Sequence, residues 1–186
     1  MKKFNLIKIF SIFIIFFLST KPLLSAESTD PIKVKWSFKG ITGKFERDSL
    51  QRGFQVYKEV CSSCHSMQYL SYRNLGEQGG PEFTAEEVKA IAASFEVEDG
   101  PDSQGEMFIR PGRPSDKFVS PYPNVNASKA ANGGAYPPDM SLLVKARPGG
   151  SNYIYSVLVG YEEKPEGFIL DDGVYYNKYM NGNKIK

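Results

Sequence analysis

Cys61-Ser62-Ser63-Cys64-His65 holds both cysteines and the single histidine of a 186-residue chain, and its spacing decides how the rest is read. Two thiols three positions apart, with an imidazole directly after the second, form the attachment pattern of a c-type haem. On a helical turn residues i and i+3 share a face, so both sulfurs can reach the vinyl groups of one porphyrin. A histidine at i+4 extends that face, and a neutral ring nitrogen there can bind the iron. Other readings compete. A structural zinc site is closed by a full tetrahedron of ligands, whereas Cys61, Cys64 and His65 are the only cysteine and histidine ligands here, and two of them are adjacent. A thioredoxin-like redox pair also uses C-x-x-C, but in a β-α-β context, and the residues upstream of Cys61 pattern as a helix. A chance pentapeptide leaves the gathering of every Cys and His at one place without a cause. One covalent haem c is therefore the expected cofactor, with Cys61 and Cys64 as attachment points and His65 as iron ligand.

Residues 1–26 have the form of a signal peptide. Lys2, Lys3 and Lys8 make a positive start, Ile9 to Leu18 is apolar except for Ser11, and Leu24-Ser25-Ala26 ends in a small residue suited to cleavage. A retained N-terminal anchor is the alternative, although the apolar run is shorter than the roughly 20 residues that span a bilayer. Export agrees with the cysteine usage, since an exposed C-x-x-C in an oxidising compartment is at risk of closing into a disulfide unless its thiols are consumed. Removing residues 1–26 takes away four lysines and no acid, so 23 basic against 21 acidic residues becomes 19 against 21.

Residues 27–186 have the length of one domain, and 13% aromatic content supplies bulk for a core. No internal repeat is visible, and no basic cluster interleaved with aromatics points to nucleic acid. Trp36 to Gly43 reads as an extended or looped arm packing onto the domain. A helix is expected to follow, with Asp48 as N-cap and Gln51 completing a capping box. Leu50, Phe54, Tyr57 and Cys61 share its inner face, and Gly53 is either a point of close backbone approach or a tolerated glycine. Thr84 and Glu87 form a second capping box, ahead of Val88, Ile91, Ala92 and Phe95 at the spacing of one buried stripe.

From Glu77 to Glu106 the chain carries nine acids and one base, Lys89. The segment is either a solvated face or a docking surface that draws a basic partner by long-range attraction. Residues 100–150 hold eight of the twelve prolines and seven of the seventeen glycines, so little regular structure is expected there. Loops of that length in a compact domain usually have a task, and wrapping a haem edge with Tyr122, Tyr136 and Tyr153 is one. Pro138-Asp139 should open a short buried helix ending near Arg147, and Asn152 should cap another running from Tyr153 to Tyr161. Asp171-Asp172-Gly173 reads as a turn into an extended piece, Val174 to Tyr176.

Beyond the haem motif, the stretch from Arg52 to Met67 resembles the cytochrome c1 family, the haem subunits of ubiquinol-cytochrome c reductase. Further similar stretches follow in order: Gly105 to Gly112, Pro121 to Asn124, Ala130 to Asp139, Lys145-Ala146-Arg147 and Tyr175-Tyr176-Asn177. The resemblance implies a mainly α, c-type cytochrome fold, enlarged by long Pro/Gly-rich loops around one haem. It implies an electron-transfer role on the periplasmic side of the bacterial inner membrane. One electron would come from the Rieske iron-sulfur subunit and pass to a c-type cytochrome, with cytochrome b as a further partner. Catalysis belongs to the whole reductase, and no substrate-turnover site is expected on this chain alone. Arg147 and Tyr153 fall where the family contacts a haem propionate, an anion that an arginine fork suits. The plainer alternative is a surface arginine and a packed tyrosine.

In the family the second axial ligand, a methionine followed by prolines, and a C-terminal membrane helix come after the stretch resembling Tyr175 to Lys186. Both are expected beyond Lys186, so residues 27–186 read as a haem domain lacking its last part and its anchor. Met67 follows His65 too closely to reach the opposite haem face, Met107 and Met140 match family positions without a ligand role, and Met180 aligns before the expected ligand, as a packing residue. For the chain as written, an iron that is five-coordinate or weakly ligated on its distal side is expected. A free periplasmic monohaem carrier is the alternative function. A haem enzyme with an open distal site is disfavoured, because no second histidine exists to move protons there.

Overall fold

Helix α1, Arg47–Glu59, has Glu46 at its N-cap position with an extended backbone, so Asp48 lies inside the first turn and not at the cap. There its charge meets the positive end of the helix dipole. Gln51 does not close a capping box either: its amide donates to the Pro81 carbonyl at 2.9 Å, a tertiary contact that outcompetes the local one. The inner face carries Phe54 and the buried Tyr57, and Lys58 and Glu59 lie on the exposed side. Gly53 is exposed, with nothing among the described residues within 4 Å of where a Cβ would stand, so of its two readings the tolerated glycine is the one that fits. The computed structural model describes residues 29–186; the signal peptide expected at 1–26 lies outside them.

Phe118 is the centre of the core. Its ring stacks on Tyr72 at 4.9 Å between centroids and on Tyr57 at 5.9 Å, and meets Phe54 edge-on at 6.1 Å. Tyr72 opens a 3-10 turn, Tyr72–Gly76, which also buries Leu75. Helix α2, Ala85–Ala93, adds Val88 and Ala92 from the expected stripe. Its capping box is reciprocal: the Glu87 amide donates to Thr84 Oγ1 at 3.2 Å and the Thr84 amide to Glu87 Oε2 at 2.8 Å.

An antiparallel hairpin, β1 (Glu96–Asp99) and β2 (Phe108–Pro111), follows, pairing Glu96 with Pro111 and Asp99 with Phe108. Nothing in the sequence pattern announces it, because Glu-Val-Glu-Asp has low strand preference. Arg110 holds the hairpin to the next loop. Its guanidinium pairs with Asp99 and grips Asp116 with two bonds of 2.6 and 3.0 Å. Arg110 is 14% exposed, so this fork is largely shielded from solvent.

Between residues 100 and 150 regular structure is limited to β2, helix α3 (Val125–Ala131) and the single turn α4 (Leu143–Ala146). The buried helix expected from Pro138 shrinks to α4, because Asp139 is committed to other contacts, and Leu142 and Val144 remain exposed. Helix α5, Ser151–Val159, starts from Gly150 at positive φ, not from an Asn152 cap. Asn152 instead receives the N-terminal arm: its Oδ1 accepts from Trp36 Nε1 at 2.7 Å and from the Val34 amide at 3.2 Å. Ser156 Oγ accepts the Ile32 amide at 2.8 Å. The chain then forms a small ladder, β3 (Tyr175–Tyr176) with β4 (Lys184–Ile185), around the fully buried Asn177. Asn177 donates to the Val157 carbonyl and accepts the Tyr179 amide, tying the ladder to α5. Among the described residues the architecture is mainly helical, with five α-helices and two small sheets.

Candidate haem site

Helix α1 ends at Glu59, and the chain tightens into a 3-10 turn, Cys61–Ser63, capped by Cys64. The Cys64 and His65 amides both donate to the Cys61 carbonyl, at 3.1 and 2.8 Å. These two bonds close a tight turn that joins Cys61 to Cys64 and His65. Both cysteines are free thiols and half-buried. Burial pushes the Cys61 thiol above its ordinary range. Tyr122 Oη lies 4.0 Å from Cys64 Sγ.

His65 is held from the far end of the Pro/Gly-rich region. Its Nδ1 lies 2.8 Å from the Pro138 carbonyl oxygen. A carbonyl only accepts, so in the neutral ring Nδ1 carries the proton and Nε2 keeps its lone pair for a metal. The same two segments are stitched further along. Asp139 Oδ2 accepts Ser66 Oγ at 2.8 Å and the Gln68 amide at 2.9 Å, and the Met140 amide donates to the Ser66 carbonyl at 2.8 Å. The Tyr69 amide donates to Ser141 Oγ at 3.1 Å. Burial acts to raise the Asp139 carboxyl, but hydrogen bonds from Ser141, Gln68 and Ser66 outweigh it and hold the group below the usual carboxylate range. On the other side, Tyr57 Oη donates to the His65 carbonyl at 3.4 Å, and burial pushes that phenol up to about 12.

These features fit a covalently attached haem. The thiols are unpaired, the imidazole presents one free nitrogen with its tautomer set, and Val60, Tyr136, Leu142 and Val144 in the neighbouring segments are 45–64% exposed. The other two candidates are less tied in. Arg147 caps the C-terminus of α4 with an exposed side chain whose one hydrogen bond among the described residues is to the Ala146 carbonyl. Tyr153 lies on α5 with its hydroxyl donating to Met180 Sδ at 3.4 Å. No hydrogen bond connects either to the Cys61–His65 turn among the described residues. Pro138 and Asp139 were not singled out in the sequence as site residues. Their only signal was membership of the Ala130–Asp139 stretch, since 73 positions separate each from the group it meets.

A model of the cytochrome c1 family matches residues 36–186. The chain is 51% identical over 150 residues to a mitochondrial cytochrome c1 haem protein of Solanum tuberosum, covering 81% of this chain and 56% of that one. It is 47% identical over 169 residues to cytochrome c1 of Rhodospirillum rubrum, covering 82% and 61%. With cytochrome b/c1 of Bradyrhizobium diazoefficiens the identity is 49% over 178 residues, covering 86% of this chain but 26% of that protein. The match thus spans only part of each relative's length. The chain belongs to the cytochrome c1 family.

Proposed function

We propose that this chain is the haem-bearing electron-transfer subunit of a bacterial ubiquinol-cytochrome c reductase, exported to the periplasmic side of the inner membrane. It takes one electron from the Rieske iron-sulfur subunit and passes it to a c-type cytochrome, in a complex with cytochrome b. The observation that carries the reading is the Cys61–Cys64 turn with His65 Nδ1 fixed on the Pro138 carbonyl, in a chain of this family. Cys61 and Cys64 would hold haem c through thioethers, and His65 Nε2 would be its protein ligand. When bound, such a haem supplies a one-electron couple whose potential follows axial ligation, hydrogen bonding and burial.

The remaining residues position and shield. Arg147, whose guanidinium meets no carboxylate among the described residues, and Tyr153 would receive a propionate. The loops of residues 100–150 would exclude water from the haem edge. Within the acidic segment Glu77, Glu82, Glu87, Asp99 and Asp102 accept local hydrogen bonds. Glu86, Glu96, Glu98 and Glu106 are exposed, and no side-chain hydrogen bond engages them among the described residues. Those four are the charges a basic partner would meet first.

The test is expression with the leader in a host competent for cytochrome maturation, followed by a haem stain on a denaturing gel and thiol alkylation. Haem is expected to stay with the polypeptide and both thiols to resist alkylation. Colourless protein with two alkylatable thiols defeats the proposal.

A further inference from the structure

Asp139 is the one carboxylate among the contacts that bind the Pro138–Ser141 segment to the His65–Tyr69 segment; the others are the His65 imidazole, backbone amides, carbonyls and serine hydroxyls. Its carboxylate accepts three hydrogen bonds, from Ser66 Oγ at 2.8 Å, the Gln68 amide at 2.9 Å and the Ser141 amide at 2.8 Å. Two of these donors flank His65 in sequence on its C-terminal side, and the third rigidifies the turn that follows Pro138. The carbonyl facing His65 Nδ1 belongs to the peptide unit that joins Pro138 to Asp139. Rotation of that peptide would move the carbonyl off the ring. Bonds to an ionised acceptor are about twice as strong as neutral ones, so the carboxylate is the strongest restraint on this geometry.

We infer that Asp139 is a positioning residue for the iron ligand: by clamping both segments it aims the Pro138 carbonyl at His65 Nδ1 and keeps the imidazole electron-rich at Nε2. The inference rests on the haem reading above. Two consequences share one sign. A looser Nδ1–H···O contact leaves the imidazole a poorer donor, which disfavours the oxidised metal. Loss of a nearby negative charge disfavours the more positive, oxidised state as well. Both raise the reduction potential.

Asp139→Asn keeps the size of the side chain but removes the charge and turns one of its acceptors into a donor facing the Ser141 amide. In haem-loaded protein, Asp139→Asn is expected to raise the reduction potential and to speed exchange of the His65 Nδ1 proton, followed by NMR on the chain's only histidine. Asp139→Glu should restore part of both. Asp172→Asn, at an exposed carboxylate, should change neither. If Asp139→Asn does not fold, Ser66→Ala carries the test, with smaller shifts of the same sign expected. Parental potential and exchange in the folded variant overturn the inference while the haem reading stands. A parent chain without covalent haem overturns both.

Discussion

Arg110 and Asp116 form a pair whose contribution to stability depends on pH in the acid range. The bidentate guanidinium hydrogen bonds hold the Asp116 carboxyl down at about 2, with the Arg113 amide adding a further donor. In the unfolded chain an aspartate titrates near 3.9, so the folded form binds its proton later. A folded-state value below the unfolded one gives stability that is complete above about pH 4 and is lost as pH falls toward 2. Asp116→Asn should therefore be less stable than the parent at pH 7, and the gap should close between about pH 4 and pH 2. Denaturant midpoints across that range measure it; a gap independent of pH counts against the assignment. Cys61, Cys64 and His65 stand out in the sequence as candidates because the attachment pattern lies within five consecutive residues. Pro138 and Asp139 do not, because their roles exist only once 73 intervening positions have folded back.

At the scale of elements, capping and periodicity predicted α2 because its signals are local: Thr84, Glu87, Val88 and Ala92 do in the fold what their spacing requires. α1 has its N-cap two residues before the Asp48 that its sequence suggests, since Gln51 serves the Pro81 carbonyl and the N-cap position falls to Glu46. The β1–β2 hairpin has no comparable local signal: its strands pair antiparallel, and Arg110 on β2 reaches Asp99 on β1 and Asp116 beyond it. Gly53 offers an element-scale test. It is helical, exposed and free of neighbours at the Cβ position, so the flexibility it adds to the unfolded chain has no packing return. Gly53→Ala should stabilise the protein by about 0.5–1 kcal/mol. Chemical denaturation reads this directly, and a lower midpoint would show that the face of α1 is in contact with something the helix itself does not reveal.

At the scale of the whole molecule, the apolar core is small among the described residues. Tyr57, Tyr72, Leu75, Val88, Ala92 and Phe118 form one buried cluster, with Tyr179 buried apart from it, while Val56, Val60, Tyr136, Leu142 and Val144 remain 45–64% exposed. A rigid apolar body bound to the turn after α1 would extend that cluster, and anything bound only by the folded form raises stability. Chain carrying Cys61→Ser and Cys64→Ser should therefore melt lower and less cooperatively than haem-loaded chain, and bind more of a hydrophobic dye. Equal melting of the two would mean that the protein core is sufficient alone.

What the sequence determined unaided was the family and those helices whose caps and stripes lie within a few residues of each other; the haem attachment proposed for Cys61–His65 and the leader expected at residues 1–26 are likewise read from spacing. Each depends on spacing along the chain, which is present before folding. Tertiary structure alone decided which carbonyl orients His65, that Asp139 clamps two distant segments, that Asn152 receives the N-terminal arm instead of capping α5, and that Arg110 holds a hairpin together. Hydrogen-bonding side chains such as these are satisfied by whichever partner the fold brings within about 3 Å. That partner is chosen by the path of the backbone and not by position in the chain.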